Sequence, residues 1–518
     1  MNHNQLFNQQ DIEQIRSKGI TLDAVSEQIN HFSNGFPALN VTAAATINNG
    51  IKKYDDATVQ QWIAGFEKQL PSLTGLKFVP ASGAATRMFK ELFDFVNSFK
   101  TDDTFAQSQQ EIKKEVKIFF DHLGQFAFYD DLSAVCQKQG YDLNRLLNEK
   151  KYVTLLRLFL NSEGLNYGSL PKALLLFHRY SDHIRTAIEE HLIEGAEYCK
   201  CKDGIVPIHF TCSEEHQRSF ELLIAKVQPW YEKKYNVRYQ ITFSQQEPST
   251  DTLAVDMNNQ PFRDNDGRLV FRPGGHGALL SNLNRFGCDV LFIKNIDNIT
   301  TDKYNNTTFR YKKVLGGVLL HYCQKIFSYL RQIDSGAGIS LVSELDRFLR
   351  DELCIIPPDK FTGYTEDEKL SYFYTKLNRP IRICGMVKNE GDTGGGPFWT
   401  RNSDGTVSLQ IAETSQLNLT DEKVKTIFTS ATHFNPADFA LCTNDYKGNK
   451  FDLMKYRDAD TGFISKKSKD GRDLKALELP GLWNGSMSDW ITIFVDVPLI
   501  TFNPVKSVND LLKQEHAG

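Results

Sequence analysis

Apolar residues recur at helical spacing through the first 70 positions of the chain. One run places them three or four residues apart, at Leu22, Val25, Ile29 and Phe32. A second run repeats every four residues, at Trp62, Phe66 and Leu70, and Pro71 directly follows it. Such spacing puts the apolar side chains on one face of a helix, and proline ends a helix. We therefore predict a helical N-terminal region over residues 1–70.

Short runs with the composition of strands alternate with amphipathic helical runs after residue 71. The short runs are typical of buried strands and cover residues 76–79, 204–211, 238–244, 269–271, 290–293, 381–387, 407–413 and 491–497. Helical patterns separate several of them, over residues 88–96, 214–231 and 314–349. Alternating strands and helices predict an α/β fold, with a mainly parallel mixed sheet flanked by helices. Residues 100–165 lack strand patterns and are predicted to form a helical insertion.

The length of the chain adds an expectation about domains. At 518 residues, the protein exceeds the size of a single small domain. We expect the helical region to span residues 1–70 and a core to span residues 71–440, with the insertion at about 100–165. Residues 441–518 are expected to complete the core and to contribute a lysine to its site.

Composition and charge exclude several classes of protein. Charged residues make up 24% of the chain and hydrophobic residues 41%, as in ordinary globular proteins. The net charge of -4 gives no basic face for nucleic acid. No apolar run approaches the roughly 20 residues of a membrane helix, and the polar start does not resemble a signal peptide. We expect a cytoplasmic protein without nucleic-acid or membrane partners. Nothing in the pattern bears on its oligomeric state.

The cysteines indicate reduced thiols. There are 9 of them, scattered along the chain, and an odd number argues against a disulfide framework. Cys199 and Cys201 form a close pair, but a second pair at zinc-site spacing is missing from the sequence. We expect buried, unreactive cysteines.

Residues 271–300 combine two features of a ligand site. The glycine-rich turn at Gly275, His276 and Gly277 would let a flat or anionic ligand approach the backbone. Asp297 directly follows the apolar run 290–293 and its short turn, and open α/β sheets bind ligands and metals just beyond the carboxyl ends of their strands. Taken alone, the segment fits equally well an ordinary turn, helix and strand, with Asp297 capping the next element.

A small-residue turn follows the first predicted strand. The backbone amides of Ser82, Gly83, Ala84 and Thr86, with the guanidinium of Arg87, could hold a phosphate before the helix that follows. The turn lacks the Gly-Lys-Ser/Thr ending of a P-loop. Because small-residue turns are common, a purely structural turn remains an alternative.

Four further residues with possible chemistry lie at the ends of predicted elements. They are Lys172, directly after a proline; Lys506, after a proline-containing turn; and the neighbouring amides Gln245 and Gln246, after residues 238–244. Glu413 ends the run 407–413 and could accept hydrogen bonds from hydroxyl groups. The alternatives are solvated lysines, a polar turn and an exposed carboxylate.

Together these segments resemble the nucleotide-sugar pyrophosphorylases, in particular the UDP-sugar branch. VPASGAATRM stands where that superfamily has a Leu-Ala-Gly-Gly-x-Gly-Thr-Arg-Leu loop, and LPKALL is similar to its Pro-Lys motif. TFSQQEP and RPGGHGALLSNL resemble its base-binding segments, and VLFIKNIDN its strand ending in Asp-Asn. SLQIAETSQ resembles its strand near the sugar, and TFNPVKSVNDLL its Pro-Val-Lys motif. The matches follow the family's order over residues 76–512, leaving the first 70 residues and the insertion uncovered.

The resemblance implies a Rossmann-like nucleotidyltransferase core and a nucleotide-sugar product, in particular a UDP-sugar. Its partners would be a nucleoside triphosphate and a sugar phosphate, with release of pyrophosphate. The implied catalytic residues are Arg87, Lys172 and Lys506, and Asp297 would bind Mg²⁺. The implied nucleotide-binding residues are Ser82, Gly83, Ala84, Thr86, Gln245, Gln246, Gly275, His276 and Gly277. Glu413 would contact the sugar.

Three departures from the family pattern leave other functions open. Ser82 and Ala85 replace glycines of the phosphate loop, the distance along the chain from Arg87 to Lys172 is longer than usual, and His276 stands where the UDP-sugar enzymes tend to have asparagine. The alternatives are a glycosyltransferase that uses a nucleotide-sugar donor and a non-catalytic protein that binds nucleotide-sugars.

Overall fold

The computed structural model describes residues 6–83, 85–108, 111–336, 340–391 and 394–517. Contacts between Cα atoms divide the chain into two compact units. The first unit comprises Met1–Gly75, Gln246–Ile293 and Lys313–Leu499. The second comprises Leu76–Gln245, Lys294–Lys312 and Ile500–Gly518. Each unit is therefore assembled from three separate stretches of the chain.

Helices occur in both units and are numbered in chain order. They are α1 (Gln9–Ser17), α2 (Leu22–Asn34), α3 (Asp56–Gln69), α4 (Lys90–Ser98), α5 (Asp102–Ser108), α6 (Lys114–Asp121), α7 (Tyr129–Lys138), α8 (Leu143–Asn148), α9 (Tyr152–Leu160), α10 (Ala187–Tyr198), α11 (Glu214–Tyr235), α12 (Leu279–Leu283), α13 (Asp302–Asp334), α14 (Ser340–Arg347), α15 (Glu366–Leu377) and α16 (Glu422–Thr429).

Strands are numbered in the same way. They are β1 (Val41–Ala44), β2 (Thr46–Ile47), β3 (Gly50–Lys52), β4 (Gly75–Pro80), β5 (Leu176–Arg179), β6 (Ile184–Thr186), β7 (Ile205–Thr211), β8 (Arg238–Ser244), β9 (Thr252–Leu253), β10 (Phe271–Arg272), β11 (Val290–Ile293), β12 (Ile381–Lys388), β13 (Gly396–Arg401), β14 (Val407–Ala412), β15 (His433–Phe434), β16 (Phe439–Cys442), β17 (Phe463–Lys469), β18 (Arg472–Glu478) and β19 (Ile491–Asp496).

The N-terminal helices form where the apolar spacing predicts them. The Thr21 hydroxyl accepts a hydrogen bond from the Ala24 amide at the start of α2, and such a cap stabilises a helix by about 1 kcal/mol. The buried face of α2 consists of Val25, Ile29 and Phe32. Residues 1–70 also contain the short strands β1, β2 and β3. Local apolar spacing does not reveal them, because β1 forms by pairing with the distant β13.

The first unit contains a mixed sheet in the order β2-β3-β19-β12-β16-β11. Strand β12 pairs in parallel with β19, with Ile381 opposite Ile491, and β19 pairs in parallel with β3. Strand β16 runs antiparallel to both of its neighbours. Seven of the eight residues of β12 are buried, as expected of a strand covered on both faces.

Three strands of the second unit, β4, β7 and β8, are parallel. Lys77 lies opposite Ile208, and Ile208 opposite Ile241. Parallel neighbours joined through helices such as α11 are the pattern that the sequence predicts. The predicted fold class, a mainly parallel mixed sheet flanked by helices, is confirmed.

Helices α5 to α9 lie within residues 100–165 of the second unit, where helices were predicted, and they pack around an aromatic cluster. The rings of Phe126 and Phe128 stack with their centroids 4.9 Å apart, and Phe128 lies 4.7 Å from Phe159. All three side chains are buried. Aromatic pairs at these distances add to the stability already gained from burial.

The nine cysteines are free and buried. Burial raises the pKa of Cys136 and of Cys212 to about 11 in each case, so these thiols stay protonated and unreactive at neutral pH. Within the described residues, no helix combines the length and apolarity needed to cross a membrane.

Candidate functional site

Lys172 and Asp297 meet in the second unit although 125 residues separate them along the chain. Lys172 opens the short 3-10 helix Lys172–Leu174, directly after the extended backbone of Pro171. Its Nζ donates a hydrogen bond to Asp297 Oδ2 at 2.6 Å and another to the Val505 carbonyl at 2.6 Å. The two charged side chains are 16% and 19% exposed. The pair is therefore largely shielded from solvent but remains reachable.

The turn before Lys506 is held against the same two residues. The Val505 amide donates to the Asp297 carbonyl at 3.1 Å, and the Asn503 amide donates to Asn298 Oδ1 at 2.8 Å. The Lys506 backbone amide bonds to Asp510 Oδ2 at 2.9 Å, and its side chain is exposed. These bonds fix the backbone from which the Lys506 side chain extends.

The small-residue turn after β4 joins this group through its backbone. The Ala85 amide donates to the Leu170 carbonyl, 3.2 Å away, and the Val508 amide donates to the Met88 carbonyl at 3.0 Å. Thr86 and Arg87 lie in the 3-10 helix Ala85–Arg87 and are exposed. A Cβ added to the exposed Gly83 would meet no atom within 4 Å. The space above this turn is therefore open to a ligand. Ala84 lies outside the described residues.

The second unit thus brings together segments that carry Arg87, Lys172, Asp297 and Lys506. Three of these side chains are cationic, and one is a carboxylate. Among the described residues, no group of three or more His, Cys, Asp or Glu side chains could hold a metal ion. A single carboxylate suits Mg²⁺ that takes its other ligands from substrate phosphates and water. Asp297 fits that role, although Lys172 occupies one of its oxygens.

A buried charge cluster supports the turn that carries Asp297. The two oxygens of Glu194 accept hydrogen bonds from Lys77 and Lys294, and all three side chains are at most 2% exposed. Next to this carboxylate, the ring of His191 contacts the Ile296 carbonyl through Nε2 at 3.2 Å. Burial lowers the pKa of Lys77 to about 8, against the opposing effect of Glu194. Buried and fully paired charges of this kind restrict the motion of the turn.

The glycines of residues 274–277 lie in the first unit, where they pack against their own chain. A Cβ on Gly277 would lie 2.1 Å from the Pro480 carbonyl oxygen, and one on Gly274 would lie 2.5 Å from that of Thr250. Gly275 has a φ of +74°, a conformation that favours glycine. Close packing on residues 478–480 accounts for these glycines without a ligand.

His276 and Glu413 come together in the first unit beside Trp483. The His276 ring stacks on Trp483 with centroids 4.5 Å apart, and its Nδ1 accepts a hydrogen bond from the Leu482 amide at 3.0 Å. The proton of the neutral ring is therefore on Nε2, which lies 3.9 Å from Glu413 Oε1. Burial lowers the pKa of His276, against the opposing charge of Glu413, so the ring is neutral at pH 7.

Asn484 completes this second group. Its Nδ2 donates to Glu413 Oε1 at 2.9 Å, and the Glu413 amide donates to Gln416 Oε1 at 2.9 Å. A carboxylate held by amides beside a half-buried indole and a neutral imidazole can bind hydroxyl groups from several directions. Sequence analysis missed Trp483, Asn484 and Glu194. Trp483 and Asn484 could have been found from the sequence, because they lie in the run LWNGS that follows a strand and a proline. Nothing in the local sequence distinguishes Glu194 within α10.

The two candidate amides after β8 fall in different units. Gln245 belongs to the second unit, where its Nε2 donates to Gln217 Oε1 at 3.1 Å. Gln246 is half-buried and belongs to the first unit.

Comparisons with known proteins identify one family and several solved structures. A family described as "Domain of unknown function (DUF4301)" matches residues 8–517. No curated protein matches the chain.

The solved structures that resemble this chain include enzymes of UDP-sugar metabolism. The UDP-glucose pyrophosphorylase of Leishmania major is 13% identical, with 97% of this chain and 78% of that chain covered and a TM-score of 0.42. The uridine diphosphate N-acetylglucosamine pyrophosphorylase of Trypanosoma brucei is 10% identical, with 96% and 76% covered and a TM-score of 0.46. Both are named as pyrophosphorylases. At such scores they carry no conclusion about reaction or substrate.

Proposed function

The chain belongs to the DUF4301 family. We propose that it is a nucleotidyltransferase. It would form a nucleotide-sugar, in particular a UDP-sugar, from a nucleoside triphosphate and a sugar-1-phosphate. The observation that carries the proposal is the meeting of Lys172 and Asp297 at the turn that leads into Lys506. Cations around a carboxylate able to bind metal are what a triphosphate requires.

The proposed reaction is a displacement at phosphorus. An oxygen of the sugar phosphate attacks the α-phosphorus of the triphosphate, and the bond from that phosphorus to the α,β-bridging oxygen breaks. The departing electron pair leaves with pyrophosphate, so no other co-reactant is needed. The protein contributes positioning and neutralisation of charge on the phosphoryl oxygens.

The second unit supplies the phosphate-binding residues of this proposal. Arg87 and the backbone amides of residues 82–86 would hold the β- and γ-phosphates, since Thr86 and Arg87 are exposed. Lys172 and Lys506 would neutralise the α-phosphate and the sugar phosphate. Asp297 would hold Mg²⁺, which, when bound, supplies positive charge to the phosphate oxygens.

The ion pair between Lys172 and Asp297 imposes an order on these events. Lys172 Nζ and Asp297 Oδ2 are paired with each other at 2.6 Å. A metal–nucleotide complex gives both a better partner at once, because Asp297 turns to the metal and Lys172 to a phosphate. Free Mg²⁺ would give Asp297 a new partner but would leave Lys172 without one. We therefore infer that the protein binds Mg²⁺ weakly until the nucleotide arrives.

The resemblance assigns recognition of the base and the sugar to residues outside this phosphate-binding group. Asn484 Nδ2 donates to one oxygen of Glu413 and so orients the carboxylate. Glu413 would then accept a hydrogen bond from a sugar hydroxyl. Gln245 or Gln246, with residues 275–277, would frame the base, as the resemblance implies. His276 Nε2 would donate to the substrate, because its Nδ1 is engaged by the backbone.

A screen for pyrophosphate release tests the proposal. The full-length protein would be assayed with Mg²⁺, each of the four nucleoside triphosphates and a panel of sugar-1-phosphates. We expect release with at least one pair, and loss of release in the Asp297→Asn variant. Failure with every pair contradicts the proposal. Sugar transfer from a UDP-sugar without pyrophosphate chemistry would indicate a glycosyltransferase, and thermal stabilisation by UDP-sugars without turnover a binding protein.

A further inference from the structure

Helix α11 of the second unit presents large apolar side chains to solvent. Its inner side is buried through Phe220, Ile224 and Tyr231. On its outer side, Leu222 is 56% exposed and Trp230 is 52% exposed. Single exposed apolar residues are ordinary on protein surfaces. Two large ones on the same side of one helix point to a surface that a partner covers.

Ala225 and Pro229 join Leu222 and Trp230 in one stripe, and both are exposed. The four residues recur at the spacing of a single helical face. Proline has no backbone N–H, so the Ala225 carbonyl cannot bond to the nitrogen four residues later. Another protein surface can donate a hydrogen bond to this carbonyl, whereas lipid chains cannot. The stripe therefore suits a protein partner better than a membrane.

Opposite charges lie at the two ends of the same face. Glu215 is in the first turn of α11 and Lys233 in the last, and both are exposed. They are 18 positions apart, about five turns of a helix, so they share the line along the helix on which Leu222 lies. Among the residues that the structure describes, Lys233 has no carboxylate within 4.0 Å, and Glu215 pairs only with its neighbour His216 at 3.3 Å.

This order of charges is self-complementary. When a second copy of α11 lies antiparallel to the first about a two-fold axis, Glu215 of each copy falls level with Lys233 of the other. The apolar stripes then face each other, and the aliphatic stem of Lys226 lies level with Leu222. A parallel arrangement would bring like charges together at both ends, and a partner of uniform charge would meet its own sign at one end.

We propose that α11 is a two-fold interface through which two copies of this chain associate. The helix has 22 residues and is about 33 Å long, so a single helical face buries less than the roughly 800 Å² per partner of a standard interface. The dimer is therefore weak, with a Kd of about 10–100 μM. It does not depend on the proposed nucleotidyl transfer, because none of the phosphate-binding residues lies on α11.

Sedimentation of the full-length protein from about 1 μM to about 200 μM tests the proposal, with monomer expected at the low end and dimer at the high end. Lys233→Glu and Glu215→Lys should each weaken the dimer about tenfold or more, because each variant turns both ion pairs into repulsive ones. The double variant Glu215→Lys/Lys233→Glu should regain most of the affinity. The same exchange removes favourable charges from both ends of the helix, so an effect on helix stability alone would make the double variant the worst of the three.

Two further variants locate the interface. Trp230→Ala should weaken the dimer about tenfold or more by removing an apolar anchor. Lys138→Glu changes an exposed lysine of α7 in the same unit and should leave the dimer unchanged. Circular dichroism at the low concentration checks that each variant is folded.

Three results would overturn the proposal. The first is a parent protein that stays monomeric up to about 200 μM. The second is a double variant that associates no better than the single ones. The third is binding of the monomer to phosphatidylserine vesicles that is lost in Trp230→Ala, which would assign the face to a membrane instead.

Discussion

Replacement of Lys172 by methionine should have opposite effects on metal binding and on turnover. Methionine keeps much of the length of the lysine side chain and removes its charge. The ammonium group of Lys172 lies 2.6 Å from Asp297 Oδ2, where it would compete with a cation for that carboxylate. Lys172→Met should therefore increase the affinity of the free protein for Mg²⁺ while it lowers the rate of the proposed reaction.

The structure sets the scale of both effects. Two unit charges 2.6 Å apart attract by roughly 6 kcal/mol at an effective dielectric constant of about 20. Desolvation of the pair, whose side chains are less than one-fifth exposed, offsets much of this and leaves a net effect of about 1–3 kcal/mol. That range corresponds to about 5–150-fold tighter Mg²⁺ binding. Turnover should fall by about 10²-fold or more, the effect of losing one preorganised electrostatic contact.

Calorimetry with Mg²⁺ and the nucleotide-free, full-length protein measures the first effect, and pyrophosphate release measures the second. Lys172→Arg, which keeps the charge, should retain the weak metal binding of the parent protein. Adding Asp297→Asn to Lys172→Met should remove the gain in affinity. Unchanged Mg²⁺ affinity in Lys172→Met would refute the competition between the lysine and the metal. A gain that survives the loss of the Asp297 carboxylate would place the metal elsewhere.

Three further outcomes are expected. Lys506→Ala should lower turnover by about 10²-fold or more, whereas Lys513→Ala, an exposed lysine at the end of the following 3-10 helix, should not. Full activity in Lys506→Ala removes that residue from the mechanism. Glu413→Gln should raise KM for the sugar phosphate by about tenfold or more, since hydrogen bonds to charged groups contribute roughly 1.5–3 kcal/mol, and the exposed Glu422 is the matched control. Burial lowers the pKa of His516 to about 3, so its contribution to stability is complete above about pH 6.5 and is lost as the pH falls toward 3. His516→Gln should flatten the fall in melting temperature over that interval, and an unchanged slope would contradict this assignment.

Much of the fold could be predicted because the signals are local. The strand patterns over residues 238–244 and 290–293 coincide with β8 and β11. Residues 290–293 are continuously apolar, which suits a strand covered on both faces, whereas apolar and polar residues alternate over 238–244. Other elements form only by long-range pairing. The hairpin of β17 and β18 was not predicted, and β17 is rich in lysine, with apolar residues only at its start.

The sequence alone indicates which residues are candidates for the site. It predicts only some of the contacts between them. The sequence places Lys172 after a proline and Asp297 after a strand, and it indicates that both are candidates. It cannot show that the ammonium and the carboxylate already bind each other, because that contact spans 125 positions. In the same way, the glycines at 274 and 277 suggest room for a ligand, whereas the structure shows them packed against residues 478–480 and Thr250.

The interleaving of the two units has a consequence for how the protein is made. Lys172 Nζ bonds to the Val505 carbonyl, and the Asp297 carbonyl accepts from the Val505 amide, yet residues 313–499 of the first unit lie between these partners in the chain. On the ribosome, Lys172 and Asp297 emerge long before the segment that joins them, at about 5–20 residues per second. A chain released early therefore lacks both Lys506 and the backbone that orients Lys172. The bonds that join Lys172 and Asp297 to Val505 can form only in chains that have been translated through this last segment.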